Sequence, residues 1–327
     1  VSAALPDALA AEPFAAIRSA CAEVAARATR VRIDAERLPA YARELAASPP
    51  RGAGEGPWQR LDSDAELRAA FVLMLDGVNF GSGFFPHLRK PPGHSGYRTI
   101  EAGLLALFEQ GGAPSAAELR STTAQRCAAI FGQKLEPPVD ELMEWFARAW
   151  RELGELIQGK FGGRFAQLAE AAEGRASGVV RTLLRAPMFA DVSRYAGRPV
   201  PLLKRAQIAA ADLASALDHT GFRLTDLEEM TLFADNLVPH VLRLDGVLRF
   251  DPELVARIER EELLQAGSPE EVEIRACAVH AVELLSAATR AHGTPLWPYQ
   301  LDNVLWNRGG GPIYKARPRH RARCWFY

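Results

Sequence analysis

The sequence predicts a mostly α-helical protein, a single large helical domain with few short strands. Helix-start signals recur from end to end. Ser115-Ala-Ala-Glu118 and Thr225-Asp-Leu-Glu228 read as capping boxes, and Asp251-Pro252 and Ser268-Pro269 put Pro at a first helical position. Two runs space apolar residues at helical intervals: Leu203, Ala206, Ala210, Leu213, Leu217, and Ile274, Cys277, Ala281, Leu284, Ala288. Strand-like alternation is scarce.

Taken in order, residues 1–50 read as an amino-terminal helical region packed on the rest. Pro49–Pro57 (PPRGAGEGP) is a flexible connector to the main helical domain, 51–327. Gly81–Gly96 is a long irregular loop carrying Phe84, Phe85, His87, His94 and Ser95, the kind of loop that commonly serves a function. Pro137–Glu173 reads as two helices broken at Gly162-Gly163. Val241–Phe250 has two readings: a hairpin turning at Asp245-Gly246, or a helix ending at Leu244 with Gly246 as its left-handed cap. The helix is preferred, because Asp251-Pro252 at once begins another.

Composition narrows the class. The chain has 327 residues, 48% hydrophobic and 24% charged, and a net charge of -1. Its 34 Arg and 5 Lys are balanced by 40 acidic residues, which leaves no field for a polyanion and argues against a nucleic-acid polymer as partner. No apolar run is long enough to span a membrane. Val1–Ala16 lacks a basic segment, so no secretion signal is expected. Cys21, Cys127, Cys277 and Cys324 lie far apart with no CxxC, which suggests reduced thiols in a cytoplasm and neither zinc nor disulfides. No Walker loop, dinucleotide fingerprint, HExxH or GxSxG occurs, so no cofactor and no metal is expected.

What remains is a set of carboxylates and cations. Asp235 is stranded among Leu232, Phe233, Ala234, Leu237 and Val238, where it loses hydration; it caps a helix or faces positive charge on a ligand. On the helix through Leu202–Leu217, Lys204, Arg205 and Asp212 lie off the apolar stripe, as a solvated flank or a partly buried functional face. Asp302 stands one turn before Trp306. The basic tail ends Trp325-Phe326-Tyr327; these aromatics favour burial, which would carry His320, Arg321 and Arg323 toward a pocket.

These segments together resemble the queuosine salvage proteins, the queuosine 5'-phosphate N-glycosylase/hydrolase family. The resemblance rests on Asp76-Gly-Val-Asn-Phe80, Ser95-Gly-Tyr97, Tyr195–Gln207 (YAGRPVPLLKRAQ), Phe233-Ala-Asp235, Glu271-Val-Glu-Ile-Arg275, Leu301-Asp302 with Leu305-Trp306, and His320, Arg323-Cys324 and Tyr327. The motifs occur in family order across roughly residues 70–327. Phe326-Tyr327 replaces a terminal Tyr pair, and His320-Arg321 a His-His. The resemblance implies a helical fold related to helix-hairpin-helix DNA glycosylases. It also implies hydrolysis of queuosine 5'-phosphate to queuine and ribose 5-phosphate, a step in salvage for tRNA modification, with 51–327 as the catalytic domain.

On that basis Asp235 and Asp302 are the catalytic candidates, one facing C1' of the ribose and the other the base. Asp302 is expected at the sugar, because the apolar setting of Asp235 suits a flat base. Lys204 and Asp212 are expected at the substrate, Phe80, Tyr97 and Phe233 as a stacking wall, and His87, His320, Arg321 and Arg323 around the phosphate. Two other readings are a nucleic-acid base glycosylase, which would need a basic groove, and a non-catalytic helical adaptor, in which the aromatic tail is only core.

Overall fold

The computed structural model describes residues 11–47 and 56–327. Its helices are α1 (Pro13–Arg27), α2 (Leu38–Ala46), α3 (Ala65–Gly77), α4 (Gly96–Gly111), α5 (Ala116–Arg120), α6 (Ala124–Ile130), α7 (Val139–Phe161), α8 (Ala166–Glu170), α9 (Ala176–Leu183), α10 (Lys204–Ala216), α11 (Val238–Leu244), α12 (Pro252–Glu259), α13 (Pro269–Ala291), α14 (Pro298–Arg308) and α15 (Pro312–Lys315). Strand content among the described residues is two antiparallel pairs: β1 (Val31–Ile33) with β4 (Leu248–Phe250), and β2 (Val192–Tyr195) with β3 (Arg198–Pro201). The fold is mostly α.

Two helices organise the core. α3 is buried at every position from Ala69 to Gly77, as expected of a helix apolar on all sides. It packs against α4, α7 and α10. α13 is buried over most of its length and packs against α1, α2, α11 and α14.

Many helix signals act as read. Ser115 and Glu118 close a capping box, and Ser268 and Asp251 cap α13 and α12. α7 ends where Gly162 takes the left-handed conformation. α11 stops at Leu244 and Gly246 has φ +78°, so Val241–Phe250 is a helix end and not a hairpin. Leu248–Phe250 still forms a strand, because Val31–Ile33 offers it a partner.

Three expectations differ. Thr225 starts no capping box: its hydroxyl donates to Gly174 O (3.2 Å), while Asp226 accepts from Ala176 N (2.5 Å) and so caps α9. Leu284 is exposed, since α13 is covered on nearly every other side and its outer stripe falls there. The β2–β3 hairpin was not expected from the sequence; Ala196 and Gly197, with φ of +48° and +80°, turn it. Most of the Pro49–Pro57 connector lies outside the described residues.

Candidate active site

Five segments meet around Lys204: the end of α3 (Asp76 and, just past it, Asn79), the first turns of α4 (Tyr97, Glu101), α10 (Lys204, Asp212), the loop before α11 (Phe233, Asp235) and α14 (Asp302, Trp306). The Lys204 Nζ donates to Asn79 O (2.7 Å) and Oδ1 (3.0 Å), and Asn79 Nδ2 donates to Asp76 Oδ1 (3.4 Å). Phe233 N donates to Asp302 Oδ1 (3.2 Å). Asp235 Oδ1 accepts from Leu237 N (2.7 Å) and Val238 N (3.1 Å). Asp235 thus fixes the turn leading into α11, whose N-cap is Leu237 and not Asp235 itself, and its charge acts on the lysine. Tyr97 and Trp306 stand edge to face with ring centroids 6.1 Å apart.

Asp76, Lys204, Phe233 and Asp302 are buried, whereas Asn79, Tyr97, Asp212, Asp235 and Trp306 keep part of their surface in solvent. The first set makes a floor and the second a rim. A shallow cleft elsewhere, lined by Ala20, Glu23, Arg27, Tyr195 and Arg198, carries none of these residues.

A buried scaffold fixes this arrangement. Leu203 has φ +50°, a strained conformation for a non-glycine residue, at the entry to α10. Asp191 holds the entry in place: its carbonyl accepts from Leu202 N (3.0 Å) and Leu203 N (3.2 Å), and its carboxylate from Lys204 N (3.2 Å). The same carboxylate forms a fork with Arg275 (2.6 and 3.1 Å), whose Nε donates to Ala234 O (2.9 Å). One guanidinium thus ties the position of Lys204 to that of Asp235. Gln207 adds a second tie, donating to Leu202 O (3.0 Å) and accepting from Thr231 N (2.9 Å).

The tail closes under this scaffold. The Tyr327 ring lies 4.7 Å from the Arg275 guanidinium, and Tyr327 O accepts from Gly81 N (2.9 Å). Gly83 has no room for a Cβ because the Ala322–Arg323 backbone runs against it.

Burial dominates the electrostatics. It pushes Lys204 down to about 8, against the pull of Asp235, Asp76 and Asp302. It pushes Asp76 up to about 7, and its Oδ2 has no hydrogen-bond partner among the described residues. Burial, then the Asp235 charge, raises Asp302 well above the ordinary carboxylate range. Asp212 rises through burial and then through Asp76 and Asp302. Four carboxylates around one ammonium cannot all be ionised, so the site at neutral pH mixes anions with neutral carboxyls. Such a set can stabilise a cation and also donate hydrogen bonds.

Of the residues singled out in the sequence, Lys204, Asp212, Tyr97, Phe233, Asp235 and Asp302 come together. Phe80 packs in the core between Phe146 (centroids 5.0 Å) and Arg205 (4.6 Å). His87 is exposed in a short 3-10 turn. His320 is buried against Tyr327, Arg321 pairs with Glu261 (3.5 Å), and the exposed Arg323 lies over Phe84 (5.2 Å). Asp76 was missed as a site residue, although it carries the signal that marked Asp235: a carboxylate closing an apolar run, Ala69–Leu75. Lys204 and Arg205 are buried, so the α10 flank is not a solvated one.

Fold and site define a mostly helical protein in which a buried lysine is set among carboxylates. The chain belongs to the queuosine salvage protein family, whose model matches residues 59–327. A protein of Sphaerobacter thermophilus named queuosine 5'-phosphate N-glycosylase/hydrolase is 37% identical over 313 residues, 93% of this chain and 95% of its own. Proteins of the same name from Dictyostelium discoideum and Mus musculus are 31% and 29% identical, covering 80% and 72% of this chain and 79% and 72% of theirs.

Proposed function

We propose that this protein hydrolyses the N-glycosidic bond of queuosine 5'-phosphate, releasing queuine. The observation that carries the reading is the convergence of Lys204, Asp235 and Asp302 at a half-open site with an aromatic rim. Breaking a ribosyl C–N bond builds positive charge at C1', which a nearby carboxylate stabilises. At ~4 Å and an effective dielectric of ~20 that attraction is on the order of 4 kcal/mol, roughly a thousandfold in rate.

Asp235 suits the sugar. It accepts from two backbone N–H groups, its charge acts on Lys204, and it reaches the rim. Asp302, buried and raised, suits the base, to which its neutral carboxyl donates a hydrogen bond. This reverses the order expected from the sequence, because backbone donors compensate the apolar surroundings of Asp235. Tyr97, Trp306 and Phe233 supply surfaces for a flat ring. Asp76 and Asp212 face the donors and the side-chain ammonium of the base. Small-molecule recognition fits a chain of net charge -1 better than a polymer does. The reading implies a cytoplasmic location, and no helix among the described residues is long and apolar enough to cross a membrane.

The test is incubation with queuosine 5'-phosphate, the free nucleoside and an oligonucleotide containing queuosine, with detection of free base. Release from the nucleotide supports the reading. Release from the oligonucleotide alone favours a nucleic-acid glycosylase, and release from none refutes both.

A further inference from the structure

Four arginines alternate along the tail, Arg317, Arg319, Arg321 and Arg323. Arg317 is neutralised by Glu259 (3.0 Å) and Arg321 by Glu261 (3.5 Å), while Arg323 is exposed over Phe84. Arg319 differs from all three. It is half-buried and makes no hydrogen bond or ion pair with any described residue. The opposite charge that acts on it is Asp235, at the rim of the site.

Its position is held from both sides. Arg243 Nη2 donates to Pro318 O (3.2 Å), and Asn236 Nδ2, next in sequence to Asp235, donates to His320 O (3.0 Å). The three neighbours that could share an anion are committed or uncharged. Arg243 pairs with Glu259 (3.5 Å), and burial pushes His240 and His320 down to about 4 and about 3. A partly desolvated guanidinium without a partner is unfavourable on its own, and a planar fork of donors is suited to a tetrahedral oxyanion.

We propose that Arg319 binds the 5'-phosphate of the substrate and thereby selects the nucleotide over the nucleoside; this rests on the reading of the site as an N-glycosidase. Asp235 lies between Lys204 and Arg319 in charge terms. A phosphate engaging the guanidinium leaves the Asp235 charge free to face C1'. Arg319 is therefore a specificity residue, and no proton passes through it.

The experiment compares the wild type with Arg319→Gln and Arg319→Lys. It measures kcat/KM for base release from queuosine 5'-phosphate and from the nucleoside, and binding of ribose 5-phosphate by calorimetry. The ratio of the two kcat/KM values should fall about tenfold or more in Arg319→Gln, chiefly through KM for the nucleotide, with part of it regained in Arg319→Lys. Ribose 5-phosphate binding should weaken in parallel. An unchanged ratio, with both substrates losing equally, would mean that Arg319 acts through Asp235 or the fold, and would overturn the proposal. If the wild type cleaves neither substrate, the activity reading fails, and the calorimetry alone decides Arg319: equal binding by wild type and Arg319→Gln rejects it. Thermal unfolding should be near that of the wild type, since Arg319 makes no bond to the fold.

Discussion

Asp235 and Asp302 differ in what surrounds them more than in what they are. Two backbone N–H groups donate to the first, and burial raises the pKa of the second well above the ordinary carboxylate range. Asp235→Asn retains shape and removes charge, so turnover of queuosine 5'-phosphate should fall about a hundredfold or more with KM little altered. Asp302→Asn retains a hydrogen-bond donor and should cost less in turnover, with a larger share of the loss in KM. Equal and small losses in both variants would remove the carboxylates from the mechanism. Lys204 makes a separate prediction. Its ammonium balances the anions only while protonated, and burial sets its pKa at about 8. Activity should therefore decline as pH rises through that value, and a pH profile flat to pH 9.5 would exclude the ammonium from the chemistry.

The element that sets the site is the junction between β3 and α10, more than either element itself. Asp191 holds the strained Leu203 turn, and Arg275 holds Asp191 and the Ala234 carbonyl together. Arg275→Ala leaves Asp191 and Glu271 buried without their counter-charge, so unfolding free energy should drop by about 3–5 kcal/mol. A denaturation midpoint within error of wild type would show the fork to be dispensable. This junction also explains what the sequence revealed and what it hid. Helix starts are written in one or two adjacent residues, so Ser115, Asp251 and Ser268 were legible. The stripe from Leu203 to Leu217 follows the helical period and was legible too. Asp191 and Arg275 are 84 residues apart, and no local pattern joins them. Their partnership, like that of Tyr195 with Glu273 (2.8 Å), is a product of tertiary packing. Lys204, Asp235 and Asp302 stand out by their local settings, and the family motifs add their roles. Asp76 could have been found from its apolar run. Arg319 reads in the sequence as one more residue of a basic tail, and only the tertiary pairing of Arg317 with Glu259 and of Arg321 with Glu261 sets it apart.

At the scale of the whole molecule, among the described residues, acids raised by burial outnumber the histidines lowered by it, and this sets how stability responds to pH. Asp76 titrates near 3.8 unfolded and at about 7 folded, through burial. Between those values the unfolded chain has lost a proton that the native protein keeps, so stability falls as pH rises across that window. Burial raises Asp212, Asp302, Glu271 and Glu283 in the same direction, Glu283 to about 7. His240 and His320, pushed down by burial, act the other way: they contribute stability present above 6.5 that is lost as pH falls through about 4 and 3. Half-buried His280, also lowered by burial, adds to that side. Acids held low by their donors, such as Asp34 through Arg249, act only below the window. The acids prevail, so the melting temperature should decrease from pH 5 to pH 7, where an ordinary soluble protein is near its plateau. Asp76→Asn keeps the acceptor for Asn79 and cannot ionise. It should flatten the slope and stabilise the protein at pH 7 by up to a few kcal/mol, while changing little at pH 4.5. Melting curves of wild type and Asp76→Asn at pH 4.5, 5.5 and 7 check this. A variant whose melting temperature runs parallel to the wild type at all three would show that the Asp76 carboxyl is not the buried, proton-retaining group on which the electrostatics of the site depend.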